Sequence, residues 1–271
     1  MVIMILKSHA KINLFLEITG KKDGLHILHS LFSCINIYDE IAIRKSETLK
    51  ITYGNTQVED DIILKAISVL RKHFCDVDAN FIIDVKKNIP IGAGLGGGSS
   101  NAAEVLKFLI AYNKIDVSCE RLLEIAFEIG SDVPFFILKK PMVLNGTGKE
   151  ISSPPFQILP LFCVVAYGNF SLLTKDVFAQ IKPPYSIFEP VHSFNEAIIR
   201  RNDMQETANV LTNGLISRTI HAISHGKSMA TRMSGSGIAC FSLFGEESHA
   251  QECLKNAVKF KEINAFLTHL V

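Results

Sequence analysis

Pro90-Ile91-Gly92-Ala93-Gly94-Leu95-Gly96-Gly97-Gly98-Ser99-Ser100-Asn101 holds five glycines between Gly92 and Gly98. Backbone N–H groups unshielded by side chains can converge on an anion, and a helix that starts beside them adds a favourable dipole field. A glycine run loses much backbone entropy on ordering, so an ordered one needs a compensating partner. Its flanks are well signalled. Phe81-Ile82-Ile83-Asp84-Val85 is β-branched and aromatic, the composition of a strand. After the run, Ala102, Ala103, Val105, Leu106, Leu109 and Ile110 recur at helical spacing, with Ser99, Ser100 and Asn101 expected as caps. Strand, glycine loop and helix start together make a phosphate-binding arrangement.

Three loop types compete for this spacing. A Walker A loop ends in Gly-Lys-Ser/Thr, whereas Gly98 is followed by Ser99. A dinucleotide fingerprint passes through Gly92, Gly94 and Gly97, with Asp116 as its acidic residue, but it should open directly off its strand. Here Lys86-Lys87-Asn88-Ile89-Pro90 intervenes, and Pro90 cannot continue a ladder. The third type, Pro-x-Gly-x-Gly-Leu-Gly-Ser-Ser, belongs to small-molecule kinases, and Pro90 to Ser100 fits it with an extended glycine run.

Other residues could work beside such a loop. Ile12, Leu14, Leu16 and Ile18 alternate as a half-buried strand, which puts Lys11, Asn13 and Phe15 on its other face. A cation beside an amide suits a polar ligand; the same pattern also describes a solvated strand face. His26 follows the turn Gly20-Lys21-Lys22-Asp23-Gly24. Asp132 lies just beyond Gly130, as a turn or capping carboxylate. Thr231-Arg232-Met233-Ser234-Gly235-Ser236-Gly237 is a second small-residue loop, either closing over phosphates or making a tight hairpin turn.

In chain order, Ala10-Lys11-Ile12-Asn13-Leu14-Phe15-Leu16, Asp23-Gly24-Leu25-His26, Pro90 to Ala103, Gly130-Ser131-Asp132-Val133-Pro134-Phe135-Phe136 and Met233-Ser234-Gly235-Ser236-Gly237 resemble the motifs of the GHMP kinases. The matches span nearly the whole chain. The resemblance implies ATP-dependent phosphorylation of a hydroxyl on a cytidine diphosphate-linked polyol, in the non-mevalonate route to isoprenoids. It implies ATP phosphates on Pro90, Gly92, Ala93, Gly94, Leu95, Gly96, Gly97, Gly98, Ser99 and Ser100, with Mg²⁺ bridging them and Ser99 or Ser100 near the metal. No carboxylate cluster identifies the metal's ligands. The family makes Asp132 the general base and sets Lys11 beside it, places Asn13 near the reacting hydroxyl, and gives His26 to the cytosine edge. Asp132 and Lys11 would either move the proton or mainly position and polarise the hydroxyl. Phe178 is the ring expected on cytosine, or else a core residue. Ser234, Gly235, Ser236 and Gly237 form the third motif. Leu25 departs from the aromatic usual at its place, and Asp61 stands for the common Asn, as a helix cap. Homoserine or mevalonate-type members of the family lack the Asp-Gly-x-His turn, so His26 separates them from this chain. From another class come a noncatalytic nucleotide-binding module and a dehydrogenase.

The remaining composition agrees with a globular enzyme. In 271 residues, 48% are hydrophobic and 20% charged, enough for one large or two ordinary domains. The formal net charge of +1 gives no bulk attraction to nucleic acid or membrane. Cys34, Cys75, Cys119, Cys163, Cys240 and Cys253 form no CxxC pair or zinc spacing, which points to reduced thiols in a cytoplasmic protein. Val2-Ile3-Met4-Ile5-Leu6 is too short for a signal core. The order of elements suits an α+β two-domain kinase, cut at Ser152-Ser153-Pro154-Pro155 into residues 1–153 and 154–271. The family adds a ribosomal protein S5 domain 2-like N-terminal half and a ferredoxin-like C-terminal half. A helix is expected after Glu59-Asp60-Asp61, a second over Cys119–Ile129, a strand over Pro134–Leu138, and a helix capped at Asn202-Asp203.

Overall fold

The computed structural model describes residues 4–54 and 61–271. Val2, Ile3, Glu59 and Asp60, read above, lie outside the described residues. Two long strands open the chain, β1 (Met4–Lys22) and β2 (Leu25–Lys45). Asp23 and Gly24 join them with φ of 50° and 82°. That left-handed pair is the two-residue turn whose twist matches a hairpin, and Asp-Gly is a preferred sequence for it.

The chain groups into two compact units. The first holds Met1–Ala10, Ile37–Ile91 and Gly96–Lys139. In it the end of β2 runs antiparallel to β4 (Phe81–Lys86), with Ile41 opposite Val85. The short β3 (Lys50–Thr52) lies parallel to β4 on its other side. Among the described residues four helices complete this unit: α1 (Ile62–His73), α2 (Gly97–Tyr112), α3 (Cys119–Ile129) and α4 (Val133–Leu138). α1 packs on α2 and α3, and α2 packs on α4. Asp61 caps α1 as expected, accepting the N–H groups of Ile63 and Leu64.

Pro134–Leu138, expected as a strand, is helical. So short an apolar run carries no periodicity to decide between the two. Pro134 fits a first helical turn, where its missing N–H would have had no partner. Phe135 and Phe136 are then both buried.

The second unit holds Lys11–Asn36, Gly92–Leu95 and Lys140–Val271. The start of β2 pairs with β1 and runs antiparallel to β5 (Met142–Gly146), which carries β6 (Glu150–Ser152). Next come β7 (Phe162–Gly168), α5 (Thr174–Gln180), α6 (Phe194–Ile199), α7 (Gln205–Leu211) and α8 (Leu215–Ile223). β8 (Ala230–Met233), β9 (Cys240–Phe244), α9 (Glu247–Ala257) and β10 (Ile263–His269) finish the chain. The last strands form an antiparallel sheet in the order β10-β7-β9-β8, with α8 and α9 packed on β7. Strand, helix, two strands, helix and strand in that order is the ferredoxin-like arrangement. Val164, Val165, Phe241, Leu243 and Phe244 of this sheet are buried.

The two units interleave along the sequence, unlike the sequential cut at residue 153. The physical reason is β2, which pairs with β5 at one end and with β4 at the other. The β5–β6 hairpin and the Ser152–Pro155 stretch therefore fall within the second unit. β1 also differs from expectation: the strand is not half-buried. Lys11 is 4% and Asn13 1% exposed, because each polar group there meets a partner rather than solvent.

Candidate active site

In the first unit, α2 starts two residues earlier than its caps were placed. Ser99, Ser100 and Asn101 lie inside the helix, and Gly96 is the N-cap, with no side chain to offer. Ser100 N–H reaches Gly96 O at 2.9 Å. The N–H groups of Gly97, Gly98 and Ser99 therefore have no acceptor within the helix. No acidic side chain occupies the first turn, and Gly98 is exposed. A helix of 16 residues thus presents bare amides at its positive end. The Ser100 hydroxyl is buried without a hydrogen-bond partner among the described residues, and Ser99 is half-buried.

A fully buried carboxylate fixes the approach to this helix. Asp39, on β2, accepts the N–H groups of Asn88 at 2.8 Å and Ile89 at 2.9 Å, and the Asn101 amide at 2.9 Å. Lys87 Nζ pairs with the same carboxylate, which balances the buried charge. Asn101 also donates to Ser8 Oγ at 2.9 Å. The segment that leads from β4 into the loop is thereby tied to both β2 and α2. Asp132 occupies the N-cap position of α4 without a capping hydrogen bond, so the helix does not rely on its carboxylate.

In the second unit, the start of the glycine loop is stitched to two strands. Lys11 N–H donates to Leu95 O at 2.9 Å, and Ala239 N–H to Ala93 O at 3.0 Å. The backbones of the glycine loop and the third motif touch: a Cβ on Gly94 would stand 2.8 Å from Ser234 O. At φ of 80° Gly94 also holds a left-handed conformation. Lys11 Nζ donates to Asn13 Oδ1 at 2.7 Å and lies 4.6 Å from the Phe32 ring centre. The Ser234 hydroxyl accepts Asn13 N–H at 3.1 Å, so this serine ties the loop to β1. Ser236 meets Thr174 through their hydroxyls at 2.7 Å. Lys11, Asn13, Gly94, Ser234 and Gly235 thus come together.

Asn202-Asp203, expected as a helix cap, does not cap α7, whose N-cap is Met204 with no side-chain capping hydrogen bond. Asn202 instead binds backbone. Its Oδ1 accepts Met204 N–H at 2.9 Å, while its Nδ2 donates to Met233 O at 2.9 Å and Gly235 O at 2.8 Å. Asn202→Ala removes all three bonds and leaves two carbonyls unpaired. A stability loss of about 1–3 kcal/mol is expected from the desolvated groups, read as a lower urea midpoint at unchanged m-value.

His26 and Phe178 also meet within this unit, stacked with centroids 5.3 Å apart, and Tyr185 lies edge-on to the same imidazole at 6.2 Å. His26 Nε2 is buried with no partner among the described residues, so the ring has a polar atom to spend on a ligand. Leu25 is exposed. Burial first, then the Lys21 charge, pushes the His26 pKa below its ordinary 6.5. Burial does the same for His29, whose Nδ1 lies 2.7 Å from Asn145 Oδ1. Both folded values are depressed, so the unfolded chain takes up these protons first as pH drops. The resulting stability is full above pH 6.5 and is lost as pH falls through the lowered values. The thermal midpoint should therefore decline from pH 7 to pH 5, and His29→Gln should flatten that decline.

Asp39, Asn202 and Ser30 were not singled out as site-building residues. Asp39 left one signal, a carboxylate inside the apolar run Leu31–Ile43. The other two left none, because a serine in a strand and an asparagine before a helix are ordinary.

Residues 61–140 match the family model described as the GHMP kinases N terminal domain. The chain is 35% identical to the 4-diphosphocytidyl-2-C-methyl-D-erythritol kinase of Clostridium botulinum (strain Langeland / NCTC 10281 / Type F), over 99% of this chain and 100% of that one. It superposes on a crystal structure of 4-(cytidine 5'-diphospho)-2C-methyl-D-erythritol kinase with a TM-score of 0.81 and 27% identity, covering 98% of this chain and 99% of the other. The Methanococcus jannaschii mevalonate kinase shares the fold, with a TM-score of 0.67 and 14% identity, over 99% of this chain and 98% of that one. The chain belongs to the GHMP kinase family, among the 4-diphosphocytidyl-2-C-methyl-D-erythritol kinases that it matches along its whole length.

Proposed function

We propose that this chain transfers the terminal phosphoryl group of ATP to the 2-hydroxyl of 4-diphosphocytidyl-2-C-methyl-D-erythritol, in the non-mevalonate route to isoprenoid precursors. The observation that carries this is the uncapped glycine start of α2, whose bare amides suit the phosphates of a nucleotide. Pro90 to Ser100 holds the ATP tail. Among the described residues no group of three or more His, Cys, Asp or Glu could hold a metal. That fits Mg²⁺ arriving on ATP, since this ion is commonly bound by substrate phosphates and water with few protein ligands. Ser99 or Ser100 would offer a hydroxyl to that metal. Bound Mg²⁺ would neutralise charge on the phosphates.

Asp132 accepts the proton of the attacking hydroxyl while the new O–P bond forms and the bond from the γ-phosphorus to the bridging oxygen breaks, releasing ADP, and Lys11 supports it. Asn13 steadies the alcohol. His26 addresses the cytosine edge and Phe178 its face. Ser234 to Gly237 line the phosphate side through their backbone. Positioning and electrostatics supply most of the rate. A coupled ADP-release assay across candidate alcohols tests the proposal. Turnover is expected only with the cytidine diphosphate-linked polyol. Faster turnover of homoserine or mevalonate would move the chain to another branch of the family, and NAD binding without ATP binding would end the kinase assignment.

A further inference from the structure

We propose that Ser30 is a positioning residue for phosphoryl transfer: it locks the Asn13 side chain so that Oδ1 holds the Lys11 ammonium. The inference rests on the role given to Lys11 and Asn13 above. All three residues belong to the second unit, and none is more than 4% exposed.

Proton bookkeeping on the hydrogen bonds fixes the direction of every link. Ser30 Oγ lies 2.6 Å from the Phe15 carbonyl, which can only accept. The single hydroxyl proton is therefore committed to Phe15, and towards Asn13 the same oxygen can only accept. Asn13 meets it at 2.9 Å and must present Nδ2. At the other end Lys11 Nζ, which can only donate, lies 2.7 Å from Asn13 and must face Oδ1. The two ends demand the same amide orientation, so the chain Phe15 O, Ser30, Asn13, Lys11 is consistent throughout. The anchor is backbone: the Phe15 carbonyl is part of β1, and Ser30 sits on β2, which pairs with β1. Asn13 N–H is held separately by Ser234, which fixes its main chain but not its side chain. Among the described residues, Ser30 is the hydrogen-bond partner that restrains the amide from the side away from Lys11.

Without the Ser30 oxygen, the Asn13 amide keeps one tether, to the very ammonium it is meant to place. The ammonium then samples a wider region, and a misplacement of about 1 Å near reacting atoms is enough to lower a rate by roughly 10²-fold. Ser30→Cys keeps the side-chain volume but offers only a weak acceptor, and Ser30→Thr restores the hydroxyl. We expect kcat of Ser30→Cys to fall about tenfold or more per folded molecule, with KM for ATP within about twofold of wild type. Ser30→Thr should regain most of that loss. In an Asn13→Ala background the Ser30→Cys change should leave kcat where Asn13→Ala alone puts it, a coupling that loss of stability cannot produce. Undiminished kcat in Ser30→Cys, or the same fold-loss with and without Asn13, would overturn the inference while leaving the kinase assignment standing. Undiminished kcat in Asn13→Ala would overturn both this inference and the role proposed for Asn13. Where Ser30→Thr does not fold, the double-mutant comparison decides alone.

Discussion

Asp132→Asn should lower turnover by about two to four decades with the fold intact. The substitution keeps size and shape and removes basicity, since a neutral amide cannot take the proton that leaves the alcohol. Stability should survive because α4 draws no capping hydrogen bond from this side chain. The helix is held by other means: Val133, Pro134, Phe135 and Phe136 are buried, and α4 packs on α2 and α3. Turnover and thermal midpoint measured on the same preparation separate the two effects. A midpoint near wild type with a collapse in kcat supports the base. A loss of tenfold or less would reduce Asp132 to a positioning group, and turnover near wild type would remove it from the chemistry.

Gly237→Ala should be nearly as damaging, for a different reason. A Cβ there would stand 2.4 Å from Gly94 N, 2.5 Å from Ala93 C and 2.6 Å from Ala93 O. All three are backbone atoms of the glycine loop, so no flexible side-chain end can move aside. The loop must shift by the better part of an ångström. Displacement on that scale is expected to lower kcat/KM by about 10²-fold, with about 1–3 kcal/mol of strain against the fold. The signature should be a rise in KM for ATP alongside the fall in kcat, because the displaced backbone is the one proposed to hold the nucleotide. A variant with ordinary ATP kinetics and only a lower thermal midpoint would show that this contact serves stability alone.

Much of this protein follows from local chemistry. The Asp23-Gly24 hairpin, the cap at Asp61, the helix over Cys119–Ile129 and the strand–loop–helix around Gly92–Gly98 all answer to forces within a few residues. Pro134–Leu138 was the exception, since five apolar residues have no period and the choice of helix fell to packing. The face of β1 bearing Lys11 and Asn13 was the other. Alternation located those side chains together but could not say whether water or protein lay above them.

What sequence by itself determined, then, was the family, the glycine run between a strand and a helix, and most of the order of elements. Backbone propensities and motif spacing are written in neighbouring residues. Tertiary structure alone decided that Gly94 and Gly237 touch, that Asp39 gathers the loop's flank, that Ser30 bonds the Asn13 amide and that Asn202 bonds the Gly235 carbonyl. Those relations join residues far apart in the chain. Each is set by which buried donor or acceptor a polar atom meets once water has been excluded, and no local pattern encodes that meeting.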